Sequence, residues 1–221
     1  MIATLAIVGC GPRLEVALQA PGMAAPAVIA LTGPTPRSDL IMAAVDLLLR
    51  AADLKRSEIG RVVATRGPGS FTGIRVALAT AQGLGLALGI QAVGVTSLLA
   101  QALRVQAGEC LAVQPARRGQ VYAQVFVQQP EGWSPAADPG VVLVESLIES
   151  NLPVVSPAGL ALPPGTPIAP TIGTAAEALL TLDEARCPGG LDTLSPFSLE
   201  PPPAAPPART AKPWPPSPRA S

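Results

Sequence analysis

The sequence predicts an α/β chain made of two hairpin-led halves. Two observations carry this reading. Residues 61–95 hold a β-branched strand, a glycine-rich turn, an Ala/Leu-rich helix of about four turns and a second strand. That order is a compact βαβ unit, whose crossover helix lets the two strands run parallel. A strand–turn–strand pattern also opens the chain at residues 4–18 and returns at residues 110–128.

Composition removes several functions at once. The 221 residues allow one large domain or two lobes, with enough chain to bury most of the apolar surface. Lys+Arg 15 balance Asp+Glu 15. No chain-wide attraction to nucleic acid follows, so RNA would be met by a local patch or through a partner. There is no histidine, which excludes Ser-His-Asp and Cys-His nucleophile systems and histidine-based zinc sites. Ser-Lys and carboxylate chemistry stay formally open, but the only lysines are Lys55 and Lys212. Cys10, Cys110 and Cys187 are far apart with no CxxC. Neither a disulfide framework nor a metal site is expected, and a reducing cytosol fits.

In order, Thr4 to Val8 and Leu14 to Leu18 read as a hairpin about the turn Gly9-Cys10-Gly11-Pro12-Arg13. Ile7-Val8-Gly9-Cys10 superficially fits a lipoprotein box, but the apolar run is too short and lacks a basic residue before it, so a cytoplasmic chain is expected. Ala27 to Thr32 is a third strand. Ser38 is the expected cap of a helix reaching Ala52, with Asp39 in its first turn and an Asp46–Arg50 pair at i, i+4.

The turn Arg66-Gly67-Pro68-Gly69-Ser70-Phe71-Thr72-Gly73 joins the βαβ strand to its helix. Gly67 and Gly69 can take positive φ, and Ser70 or Thr72 can cap the helix, leaving N–H groups free for an anion. A tight turn that only docks helix on sheet explains the same residues. No Lys-Ser/Thr follows and the pattern is not GxGxxG, so neither common phosphate-loop label applies. In the helix, Arg75, Ala79 and Gln82 form a narrow polar stripe, while Ala77, Ala81, Gly85 and Gly89 form a small-residue row. A helix this apolar is covered on more than one side, with a second helix as the expected cover. A membrane span is the weaker reading, given Thr80, Gln82, Gln91 and four glycines within residues 76–95.

Thr96 or Ser97 should cap a further helix to about Gln106. A strand from Gly140, a strand at Val154-Val155 and a short helix over residues 174–182 complete a loop-rich second half. Ten of the last twenty-six residues, 196–221, are proline, a composition that reads as a disordered tail. The expected division is therefore 1–107, 108–195 and 196–221.

The segment GPGSFTGIRVALATAQGLGLALGIQAVGVTSL, residues 67–98, resembles the signature of the bacterial TsaB (YeaZ) family. The similarity is good over 38–98, fair over 111–122 and weak beyond. Members are non-catalytic dimerisation subunits of the machinery that places threonylcarbamoyl on adenosine 37 of tRNA. The resemblance implies an actin-like ATPase (ribonuclease H-like) fold with two lobes. It implies a TsaD-like catalytic paralogue as partner, a TsaE-like ATPase in a ternary complex, tRNA reached indirectly, and a homodimer when the chain is alone. No cofactor is expected. The interface would lie on the two helices, through Leu40, Ile41, Ala44, Leu48, Ala77, Leu78, Ala81 and Gly85.

Two departures from the family pattern bear on chemistry. Val8 stands where the first hairpin resembles Ala-Ile-Asp-Thr-Ser, and Pro115 replaces the aspartate of a segment resembling Asp-Ala-Arg-Arg-Gly-Glu-Val-Tyr. Magnesium needs carboxylate and water oxygens that valine and proline cannot supply. An actin-like nucleotide-dependent phosphotransferase or ATPase is the alternative function, disfavoured on this ground. A peptidase is weaker still, because no serine has a credible base. Arg117-Arg118 can touch tRNA phosphate or form a solvated turn.

Overall fold

The computed structural model describes residues 2–106, 108–117, 119–182 and 194–199. A first sheet is ordered β3-β2-β1-β4-β5: β1 (Ala3–Val8), β2 (Leu14–Gln19), β3 (Ala27–Leu31), β4 (Ile59–Thr65) and β5 (Gln91–Val95). The hairpin β1–β2 is antiparallel, with Thr4 opposite Gln19. β4 runs parallel to both β1 and β5. Central β1 and β4 are buried on both faces, which is why they read as continuous apolar runs.

Helices α1 (Arg37–Ala51) and α2 (Phe71–Leu88) lie side by side on this sheet, α1 against β2 and β3 and α2 against β4 and β5. Ser70 caps α2 by accepting from the Gly73 amide, and Gly89 closes it in the left-handed conformation. Pro36, not Ser38, stands at the cap of α1; the Ser38 hydroxyl donates to Asp39 instead. Asp46 pairs with Arg56 at 2.7 Å rather than with Arg50, because a one-turn 3-10 helix (Arg56–Glu58) swings Arg56 beside it.

The second sheet holds β6 (Glu109–Pro115), β7 (Gln120–Gln129), β8 (Gly132–Pro135), β9 (Gly140–Leu143) and β10 (Val154–Val155). Both faces of β7 are covered near its start. Tyr122 and Phe126 pack on α3 (Ser97–Ala102) and its neighbours, while Val121 and Ala123 pack with Leu147 and Val154. Alternate side chains along this part of β7 therefore both meet core. α3 is shorter than expected and ends at Ala102, after which Val105 makes a bridge to Thr171.

One helix of the second half returns to the first sheet. α4 (Ala175–Leu180), capped by Thr174 and Glu177, returns to the first sheet and packs on β1 and β2. Its Ala175, Ala176 and Leu179 join the first core. Buried Glu15 on β2 accepts from the Ala176 amide at 3.2 Å and from Arg13 at 2.6 Å, so polar and apolar contacts fix α4 together. Residues 194–199, expected in part as tail, also pack on the body. Cys187, Arg118 and residues 200–221 lie outside the described residues.

Two glycines of α2 should respond oppositely to alanine in urea unfolding. A Cβ on Gly73 would lie 1.9 Å from the Gly9 carbonyl oxygen, so Gly73→Ala should lose about 3 kcal/mol by overpacking against backbone. Gly83 faces open space, so Gly83→Ala should gain about 0.5–1 kcal/mol from helix propensity.

Candidate functional site

The glycine loop is pinned to the first hairpin turn. The Ser70 amide donates to the Cys10 carbonyl at 2.9 Å, and Gly67 and Gly69 take φ of 105° and 144°, as expected for the two glycines. A Cβ on Gly69 would lie 2.5 Å from the same carbonyl. From below, the Thr65 hydroxyl at the end of β4 receives the Gly9 amide at 3.3 Å and the Cys10 thiol at 3.2 Å. From the side, the Ser97 amide donates to the Gly67 carbonyl at 2.8 Å and the Ser97 hydroxyl to the Pro68 carbonyl. The loop is held by backbone contacts that need small residues.

Arg37, at the start of α1, reaches back to the hairpin turn. Its guanidinium donates to the Gly9 carbonyl and, at 2.5 Å, to the Gly11 carbonyl. Burial pulls it below the ordinary arginine value, with the neighbouring Cys10 acting the other way. No sequence motif singles out Arg37. Nothing in the pattern said that its side chain would tie helix to turn.

Between the lobes these parts wall a cleft of about 730 Å³. Cys10, Gly11 and Pro12 form one wall, with Arg37 beside them; Pro68 to Phe71, Ile74 and Arg75 form the next. Pro115, Ala116, Arg117 and Tyr122 face them from the second sheet, and Pro196, Phe197 and Ser198 complete the rim. Three arginines and no carboxylate line the cleft among the described residues. Arg75 stacks on Phe71 at 3.9 Å, so its charge sits over an exposed ring. Val8 is buried at the end of β1, and Pro115 ends β6. Those donors do not fit a magnesium-held nucleotide.

The expected interface residues stand elsewhere than expected. Ile41, Ala44, Leu48, Ala77, Leu78, Ala81 and Gly85 are buried in the chain's own core, and Leu40 is half-buried. The physical reason is close packing on the sheet: Ala77 sits against Gly9, and a Cβ on Gly85 would meet Ala92 at 2.9 Å. The small-residue row is where α2 approaches its own strands. The outward face holds other residues, among them Ala43 and Leu47 on α1 and Ala79, Gly83 and Leu86 on α2. Leu47 and Leu86 are 59% and 72% exposed. Gln82 of the polar stripe turns to the Leu194 carbonyl at 3.4 Å.

Among the described residues α2 is long and apolar enough to cross a membrane. Here it is a sheet-packed helix, with one face in the core.

Residues 37–168 match the family described as TsaD: tRNA N6-adenosine threonylcarbamoyltransferase, which is more than half of the chain. The chain belongs to that family, as a TsaB (YeaZ) member. Its fold is likewise that of YeaZ from Pseudomonas aeruginosa, with a TM-score of 0.72 at 24% identity over 90% of this chain and all of that one. The α/β actin-like architecture is thus established. The tRNA threonylcarbamoyladenosine biosynthesis protein TsaB of Escherichia coli is 26% identical over 165 residues, 73% of this chain and 71% of that protein. An uncharacterised protein of Mycobacterium leprae is 44% identical over 101 residues, 43% of this chain. That match spans only 28% of the mycobacterial protein's length.

Cys10, in the wall of this TsaB-type cleft, and Cys110, in the second core, should both be inert. Burial raises Cys10 above the ordinary thiol range and pushes Cys110 up to about 12. A raised folded-state value means that stability is full below the unfolded thiol value and falls as pH rises through the folded one. Iodoacetamide at pH 8 should leave both peptides unlabelled by mass mapping until denaturant is added, and the urea midpoint should drop as pH climbs past about 9.

Proposed function

We propose that this chain is the non-catalytic scaffold subunit of the assembly that forms N6-threonylcarbamoyladenosine at tRNA adenosine 37. Its family membership places it in the threonylcarbamoyladenosine machinery. A cleft lined by arginines, with Val8 and Pro115 in place of carboxylates, supports a role without chemistry of its own. The transfer of threonylcarbamoyl to the adenosine N6 then belongs to a TsaD-like paralogue. A TsaE-like ATPase completes the assembly, and the setting is the cytoplasm. tRNA is reached through these partners, with Arg117 and Arg118 as the local basic pair of the second hairpin turn.

The observation that carries the proposal is the outward face of α1 and α2. Two adjacent helices present Leu47 and Leu86 to solvent, together with the exposed small residues Ala43, Ala79 and Gly83. Small residues beside exposed leucines let another helix pair approach closely, and exposed apolar patches of this kind mark interfaces. The same face can pair two copies of this chain when the paralogue is missing.

Co-expression with the TsaD-like protein of the same source, followed by sizing with light scattering, tests this reading. A one-to-one complex is expected. Leu86→Glu and Leu47→Glu should each weaken it at least about 30-fold, roughly the 2 kcal/mol of a central interface residue, without lowering the urea midpoint of the lone chain. Gly85→Leu is not a clean probe, because its side chain would enter the Ala92 contact. Phosphate release from Mg-ATP by the purified chain would overturn the non-catalytic part of the proposal.

A further inference from the structure

We propose that residues 194–199 form a strap that ties the two sheets together across the mouth of the cleft and sets how far it opens. Each contact of this segment falls on a different part of the body. Leu194 is 1% exposed and lies in the first core, with its carbonyl accepting from Gln82 of α2. The Phe197 amide donates to the Arg66 carbonyl at 2.8 Å, and the Arg66 guanidinium sits over the Phe197 ring at 5.4 Å. The Phe197 carbonyl comes so near Gly67 that a Cβ there would lie 2.5 Å away. Leu199 then packs against the second sheet's core, beside residues such as Tyr122 and Phe126.

Six residues therefore run from one hydrophobic core, over the glycine loop, to the other. The apolar side chains at 194, 197 and 199 supply the three footholds, and Pro196 stiffens the span by fixing φ. Pro196, Phe197 and Ser198 are also part of the cleft wall. With the strap docked the cleft has its third side; with the strap lifted, the Arg66–Ser70 turn faces solvent. Beyond the buried Leu194, its attachments include one backbone bond, one cation–π contact and one partly buried leucine, each individually weak. Such a segment opens locally at far lower cost than the sheets it bridges.

Hydrogen exchange read by mass spectrometry on the full chain tests the proposal. Phe197→Ala combined with Leu199→Ala removes two footholds and keeps Leu194, whose burial supports the first core. Exchange in residues 66–75 should rise several-fold, while peptides from β1 and β4 keep their protection. Arg66→Ala, which breaks the contact from the other side, should reproduce the pattern. Unchanged protection of 66–75 in both variants would show that the segment does not hold the cleft. Uniform loss across β1 and β4 in either variant would also overturn the proposal, since the segment would then be part of the global fold.

Discussion

The approach of α2 to the first hairpin turn is the constraint on which the rest of the molecule depends. Gly9 and Gly73 meet backbone to backbone, leaving no room for a Cβ on either. That contact brings the first turn of α2 beneath Cys10 and Gly11, so the glycine loop can hydrogen-bond the hairpin. It also leaves the two carbonyls that Arg37 reaches from α1. Hairpin, loop and both helices are thus fixed by one close approach. The glycine-rich turn has a structural cause that does not require a bound anion, because the Ser70 amide and the Gly67 carbonyl are committed to neighbouring backbone.

The same packing explains why the helix faces reversed. The sequence shows that α1 and α2 are apolar over a wide arc, and width alone does not say which side meets the sheet. Small residues at i, i+4 and i+8 look like a surface for an incoming helix. In a helix lying on a sheet they serve equally as the line of closest approach, as Ala77, Ala81 and Gly85 do. Leu86 and Leu47 gave the better signal for the outward face. They are large apolar residues off the small-residue row, and a two-sided core would have had to cover them.

Elements with local signals were readable: the two hairpins, the βαβ crossover, the Ser70 and Thr96 caps and the positive-φ glycines of the loop all follow from short-range chemistry. What stayed hidden depends on long-range placement. α4 returns to β1 and β2 because Glu15, 161 residues away in sequence from Ala176, offers a carboxylate to its first turn. Arg37 bonds residues 28 and 26 positions away. The proline count of residues 196–221 averaged over a window whose first four residues include Phe197 and Leu199, both docked. Composition describes a window, and two apolar footholds at its edge are enough to anchor that edge.

The size of the helix face constrains how a partner can use it. α1 has 15 residues and α2 has 18, so at a rise of about 1.5 Å each they are about 22 and 27 Å long. Side by side at helix spacings of roughly 8–10 Å they offer a footprint of about 500 Å². A stable interface buries about 800 Å² on each partner. Two helices against two helices therefore supply most of a standard contact but not all of it. The shortfall must come from beyond the helix pair, and the exposed Phe71–Arg75 stack at the N-terminal end of α2 is the apolar surface that adjoins it. A partner that covers this stack would also sit at the rim of the cleft, which links docking on the helix face to the opening of the cleft.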